Sequence, residues 1–450
     1  MNHSIIRHGK RPASTLFRSA VKATAARPSI RRGGLTVGVP FVAALNHKLG
    51  TSQQIYTTGG AIRSFATVVS STVQQKPTTA TMRALRYHGV KDLRVDNDIP
   101  VPACGEHQIK IKPAFCGICG TDLHEYSSPT FIPAKDHPHP VTGESMPVTI
   151  GHEFSGEVVE IGSKAKNPKG LKVGDKVAVQ PTVACFHCGP CNEGYINCCD
   201  SAGFVGLSGG GGGMSDYVSV DEQFVFPLPE HIGLDVGALV EPLAVAWHGV
   251  NQYPVKEGTS AIVMGAGPIG LGVIQCLKAR GASTIIVVEI AKERQNFAKE
   301  FGATHLIDPR HEDVVKKAKE LTDGQGPHLA LDAAGVPASL KTATLAVRAR
   351  GTVVNLAIWE KEVPFQPNNL VFGEKKYVGG KSKCSCLHSH CGLLLLSCYA
   401  ARSSRTSRAL PPAYPVTTIL PCQKISARTG NRTCGLATEQ KRNARTTTRT

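Results

Sequence analysis

The stretch Ala261-Ile-Val-Met264-Gly265-Ala-Gly267-Pro268-Ile269-Gly270 decides the fold. Its uninterrupted apolar start predicts a buried strand over 261–264, and Pro268 opens a helical pattern that runs to about residue 280. Between the two, Gly265 permits a tight turn, Gly267 lets the backbone approach a pyrophosphate, and Gly270 allows close helix–strand packing. The helix N-terminus then faces the phosphates. A lone motif of this kind is weak, but its context supports it. Glu289 lies 24 residues after Gly265, at the end of a second predicted strand over 284–289. A carboxylate there binds a ribose diol and repels the extra phosphate of NADP, so NAD is the expected cofactor. FAD is disfavoured, because the motif is internal and follows a cysteine-rich region.

Outward from this unit the alternation continues. Helices are expected over 292–300 and 314–321, with strands at about 307, over 329–332 and over 352–356. That order gives a parallel sheet. Upstream, 82–250 reads as strands and loops, with short runs at 108–113, 155–161 and 176–179 separated by Gly, Pro and Asp turns. The proline-bearing stretch 120–150 reads as a surface loop that covers a site. The expected class is α/β. A basic leader over 1–81 precedes a β-rich catalytic domain over 82–250, a nucleotide-binding domain over 251–380, and a tail over 381–450.

Two sets of residues have metal-binding chemistry. Cys185, Cys188, Cys191 and Cys199 supply four thiolates from one short segment, which suits a closed tetrahedral structural zinc site. Cys198 adjoins Cys199 and leaves the fourth ligand ambiguous by one residue, and an iron–sulfur cluster is the lesser alternative. The second set is dispersed: Cys119 in Gly117-Ile-Cys-Gly-Thr-Asp-Leu-His124, His152 and Glu153 in Gly151-His-Glu-Phe154, and Glu241 in Glu241-Pro242. One thiolate, one imidazole and one carboxylate leave a zinc coordination position open for substrate. Zinc there polarises an alcohol oxygen and favours loss of hydride. Thr121 is placed to accept the alcohol proton and His124 to carry it to solvent.

Composition narrows the classes of function. At 41% hydrophobic and 19% charged residues, disorder throughout is excluded. The formal charge of +17 sits in the flanks: residues 1–80 and 381–450 each carry +11, leaving 81–380 at −5. A mildly acidic body argues against nucleic acid as a partner. No run of about 18 uncharged apolar residues occurs, so no transmembrane helix is expected. The leader has seven Arg before residue 64 and no acid, the composition of a mitochondrial transit peptide. Translation from Met82 is the alternative, and implies a cytoplasmic protein. The tail's Cys384, Cys386, His388, His390, Cys391 and Cys398 lack accompanying caps or periodicity and indicate no second metal site.

Together, 117–126, 151–156, the four-cysteine segment, 241–248 and 265–270 resemble the zinc-containing medium-chain alcohol dehydrogenases. Within that family the 2,3-butanediol dehydrogenase group is most similar. The group resemblance rests on Cys119-Gly-Thr-Asp-Leu-His-Glu-Tyr126, the insertion ending in His139-Pro-Val-Thr-Gly-Glu144, Gly151-His-Glu-Phe-Ser-Gly156 and Glu241-Pro-Leu-Ala-Val-Ala-Trp-His248. It covers about 82–380. It implies a GroES-like domain, a Rossmann domain, catalytic and structural zinc, a homodimer or homotetramer, and a small diol or alcohol substrate. By matching, Cys119 and His152 are zinc ligands and either Glu153 or Glu241 supplies the carboxylate. Thr121 and His124 form the proton relay, and Asp332 lies at the strand end facing the nicotinamide. The reaction implied is NAD-linked oxidation of 2,3-butanediol to acetoin, with sorbitol, other polyol or L-threonine oxidation as alternatives. The family also continues into a C-terminal part of the catalytic domain that 381–450 does not resemble. The tail is therefore expected to be aberrant or disordered, which keeps an impaired dinucleotide-binding pseudoenzyme as the remaining alternative.

Overall fold

In the computed structural model the described residues are 80–359, 361–381 and the pair Leu420–Pro421. Ser260–Met264 forms a strand with every residue buried, and Pro268–Ala279 forms a helix capped by Gly267 with proline at its start. Proline is tolerated there because the first-turn N–H groups have no intrahelical partner. Gly265 takes φ +88°, and a Cβ on Gly270 would stand 2.0 Å from the Gly265 carbonyl oxygen. Only glycine at 270 lets the helix come this close to its strand.

Six parallel strands form one sheet in the order His305–Ile307, Thr284–Val288, Ser260–Met264, Leu329–Asp332, Thr352–Asn355 and Lys376–Gly379. The strand order reverses between Ser260–Met264 and Leu329–Asp332, which is where such sheets open a ligand crevice. Register pairs Met264 with both Val288 and Asp332, so the loops after these strands emerge together. The expected elements form with ends shifted by a residue or two. The helix Pro337–Ala346 and the edge strand Lys376–Gly379 are additional.

Alternate strand residues serve two cores. Ala261, Val263, Ile285 and Val287 pack with Leu271, Ile274 and Phe301. Ile262, Met264, Ile286 and Val288 pack with Val314, Ala318 and Ala343. Burial of both faces explains the unbroken apolar runs, and each fully buried large side chain contributes roughly 1.5–3 kcal/mol.

The N-terminal half is antiparallel. Gln108–Gly117 lies between Glu153–Ile161 on one side and Val218–Asp221 on the other, and Lys176–Val179 and Val225–Pro227 extend the sheet. The pair Leu420–Pro421 lies antiparallel to Phe115–Cys116, strand pairing that the composition of the tail did not predict. The rest of the leader and tail expectations lie outside the described residues.

The helix Val240–Val250 joins the two cores. Val240 and Ala244 pack with Ala178 and Phe226, whereas Ala246, Trp247 and Val250 belong to the core beside the parallel sheet. The stretch 120–150, expected as a surface loop, instead begins as the helix Gly120–Ser127 and buries Ile132, His139 and Val148. Asp122 makes the difference, because its carboxylate accepts the Cys119 N–H at 2.8 Å and caps the helix start. Among the described residues no helix is long and apolar enough to cross a membrane.

Candidate active site and metal centres

Cys119 is the N-cap of the Gly120–Ser127 helix, at the exit of the Gln108–Gly117 strand. His152 and Glu153 enter the neighbouring strand from Gly151, which has φ +98°. A Cβ on Gly151 would meet Cys116 Sγ and Met214 Cγ, each at 2.7 Å, so the His152 turn can approach the sheet this closely only with glycine. The ligand atoms of Cys119, His152 and Glu153 all lie within 4.8 Å of one another.

Asp122 completes the surroundings. Its Oδ1 lies 3.4 Å from His152 Nδ1, with both side chains almost fully buried. Apart from this contact, Asp122 Oδ1, His152 Nδ1 and Glu153 Oε2 find no hydrogen-bond partner among the described residues. A buried polar atom left in this state costs about 1–3 kcal/mol. Burial pushes the Cys119 thiol up, with Glu153 adding to the effect. The Glu153 carboxyl is pushed up to about 8, first by burial, with Glu241 and Asp122 contributing against His152. A divalent cation among these donors would offset the cost of burying the Cys119 thiolate and the Glu153 carboxylate, and a thiolate, an imidazole and a carboxylate are donors that suit zinc. The residues present therefore fit the metal.

Glu241, expected as an alternative carboxylate ligand, lies outside the three-residue group. It is buried near the start of the Val240–Val250 helix, where burial raises its pKa and Asp122 adds to the effect. Its charge acts on Glu153, and Glu153 is the carboxylate that joins the thiol and the imidazole.

Thr121 and His124 share the helix that Cys119 caps. Thr121 Oγ1 is 3.6 Å from Cys119 Sγ, and His124, half-buried, follows at i+3 on the same side. A hydroxyl beside the ligand group and an imidazole one turn further on can pass a proton outward.

The thiols of Cys185, Cys188, Cys191 and Cys199 also lie within 4.8 Å of one another. Exposed Cys198 is outside the group, and buried Cys199 completes it. Cys199 Sγ accepts the N–H groups of Cys185 and Ser201, each at 3.3 Å. The N–H groups of His187 and Cys188 help pull the Cys185 thiol down to about 6, whereas burial and the neighbouring sulfurs push Cys191 up to about 12. Sulfurs this close cannot all ionise without a cation among them.

At the glycine turn, a Cβ on Gly267 would meet nothing within 4 Å. Glu289 is buried at the end of its strand, and Oε2 accepts the Ala266 N–H at 2.8 Å while Oε1 accepts those of Ile290 and Ala291 at 2.9 Å. It therefore fixes the turn. Asp332, expected to bind cofactor, is completely buried. It accepts the N–H groups of Ala334 and Gly335 and the Ser339 hydroxyl. Its carboxylate orders the strand end through these bonds. Asp122 and Glu125 were not anticipated. Asp122 had a sequence signal, a carboxylate three residues after a helix-capping Cys119.

The model for "Alcohol dehydrogenase GroES-like domain" matches residues 105–230, and that for "Zinc-binding dehydrogenase" matches 268–381. The (R,R)-butanediol dehydrogenase of Bacillus subtilis is 46% identical over 300 residues, covering 66% of this chain and 84% of that one. A crystal structure of 2R,3R-butanediol dehydrogenase from Bacillus subtilis superposes with a TM-score of 0.64 at 44% identity, covering 71% of this chain and 88% of that one. A putative zinc-binding dehydrogenase from Sinorhizobium meliloti, bound to NADP, also gives 0.64, at 30% identity, covering 71% and 90%.

Proposed function

We infer that this chain, which belongs to the zinc-binding alcohol dehydrogenases, interconverts a vicinal diol and its hydroxyketone, typified by 2,3-butanediol and acetoin, with NAD. The observation that carries this is the set Cys119, His152 and Glu153, half-buried at the thiol and buried at the other two, whose three donors leave a further zinc position for a substrate oxygen. The butanediol dehydrogenases among the relatives support the diol.

Cys119, His152 and Glu153 would hold the zinc, which would supply Lewis-acid polarisation of the alcohol oxygen, and bound NAD would supply the hydride acceptor. The protein's own groups do the rest. Asp122 faces His152 Nδ1 and holds the Cys119 N–H, so it orients two of the three ligands. Thr121 takes the alcohol proton at its hydroxyl, and His124 carries that proton outward along the same helix. Gly265, Gly267, Pro268, Ile269 and Gly270 hold the pyrophosphate at the helix start. The Glu289 charge favours a free ribose diol over a 2′-phosphate, hence NAD over NADP.

A homodimer or homotetramer is part of the same proposal, to be checked by sedimentation of the full chain. So is mitochondrial import, supported by the acid-free, Arg-rich leader. Processing and uptake by isolated mitochondria check it, against a cytoplasmic product starting at Met82. For the reaction, full-length protein with zinc restored is assayed for NADH formation with 2,3-butanediol, sorbitol, xylitol, L-threonine and simple secondary alcohols. Preference for the diol is expected. Preference for a polyol or for threonine replaces the substrate assignment, and no reduction of NAD with any of them removes the reaction.

A further inference from the structure

Glu125 makes a set of contacts to which the chemistry above assigns no role. It is 2% exposed, on the Gly120–Ser127 helix one turn beyond Thr121. Three consecutive backbone N–H groups converge on its carboxylate. Thr130 donates to Oε1 at 3.0 Å and Oε2 at 2.9 Å, and Phe131 and Ile132 each donate to Oε2 at 2.9 Å. Charge-assisted bonds of this kind are stronger than neutral ones and specific in direction. They fix the chain where it leaves the helix.

From that chain, contacts lead back to the metal site. The Phe131 ring stands edge-on to Phe204, with centroids 5.2 Å apart at 86°. The Phe204 ring centroid is 6.3 Å from that of the His152 imidazole. The backbone is tied in the same direction, because the Ser208 hydroxyl donates to the Phe131 carbonyl at 2.9 Å and accepts the Phe204 N–H at 3.1 Å. Thr142, from the insertion, donates to the Ser208 carbonyl at 2.7 Å. The segment after the helix, the Phe204 turn and His152 thus form one packed wall.

We propose that Glu125 is a positioning residue: its carboxylate fixes the backbone of residues 130–132, and thereby holds the Phe131–Phe204 wall that bounds the space for the substrate's carbon skeleton beside His152. The ligands, the proton relay and the cofactor turn lie on other residues. Loss of the anchor therefore acts on KM and on discrimination by size, and little on kcat. The substrate part rests on the reaction proposed above; the anchoring does not.

The test compares full-length, zinc-loaded wild type with Glu125→Gln and Phe131→Ala. Glutamine keeps the volume but turns an amide donor toward N–H donors. Amide hydrogen exchange at residues 130–132 is expected to accelerate at least about tenfold in Glu125→Gln, with zinc content unchanged. KM for 2,3-butanediol is expected to rise about tenfold in both variants with kcat within about threefold, and preference over a bulkier secondary alcohol to weaken. Unchanged exchange overturns the anchoring, whatever the substrate. Faster exchange with unchanged KM and unchanged preference overturns the wall. Should Glu125→Gln fail to fold, an unchanged KM and preference in Phe131→Ala overturn the wall in the same way. If wild type oxidises none of the alcohols, the proposed reaction fails by itself, and the exchange measurement still decides the anchoring.

Discussion

Asp122 Oδ1 lies 3.4 Å from Nδ1 of His152, both side chains almost fully buried, and the other oxygen of the same carboxylate holds the Cys119 N–H at 2.8 Å. One side chain thereby fixes both a candidate ligand ring and the helix start that presents the ligand thiol. Outer-shell carboxylates of this kind set ring orientation and ligand basicity. Asp122→Asn retains an acceptor for the helix but removes the charge from His152. Zinc affinity or kcat is expected to fall about 10- to 100-fold, checked by competition with a chelator and by steady-state kinetics.

The four-cysteine segment predicts a loss that is independent of activity at the other centre. Cys191→Ser is expected to reduce zinc by one equivalent per chain and to lower thermal stability, measured by atomic absorption and calorimetry. Cys198→Ser, outside the quartet, is expected to change neither quantity. Equal effects of the two substitutions would contradict the ligand set.

Glu289 anchors the Ala266, Ile290 and Ala291 N–H groups, and in the proposed reading its charge also selects against a 2′-phosphate. Glu289→Gln preserves shape and removes that charge. The ratio of kcat/KM for NADP to that for NAD is expected to rise about tenfold, equivalent to about 1.4 kcal/mol of discrimination. A ratio that does not move would show that the carboxylate serves only the turn.

Arg83 and Asp216 form a two-pronged ion pair, with Arg83 Nη2 2.8 Å from Asp216 Oδ1. Hydrogen bonding to Arg83 holds the Asp216 carboxyl below its ordinary range. A carboxyl depressed in the folded state stabilises the protein above its unfolded pKa and loses that contribution as pH falls through the folded value. Asp216→Asn is therefore expected to destabilise by about 1 kcal/mol at neutral pH, since the pair is partly exposed. The difference from wild type shrinks toward zero in strong acid. Denaturant titrations across the acid range check the sign.

What the sequence revealed follows from where the deciding partners lie. The strand 260–264 and its glycine turn were legible because both sheet faces are buried and the turn chemistry is local. The cysteine quartet was legible for the same reason, its donors lying within one short segment. Glu153 and Glu241 could not be separated, since Glu241 approaches on a helix shared by two cores and only the folded geometry leaves it outside the ligand group. Asp332 was placed correctly at a strand end, but sequence position does not say whether a carboxylate turns inward to backbone N–H groups. Glu125 was missed for a related reason: its partners are main-chain donors, which leave no mark in residue types.

The most direct measurement is NADH formation by the zinc-loaded full-length protein with 2,3-butanediol, with acetoin identified as product and Cys119→Ser alongside. Turnover in wild type, reverse reduction of acetoin by NADH, and loss of both in the variant with the four-cysteine zinc retained are expected. Absence of NADH with every diol, polyol and secondary alcohol, in protein shown to hold zinc at both centres, would rule out the proposed reaction.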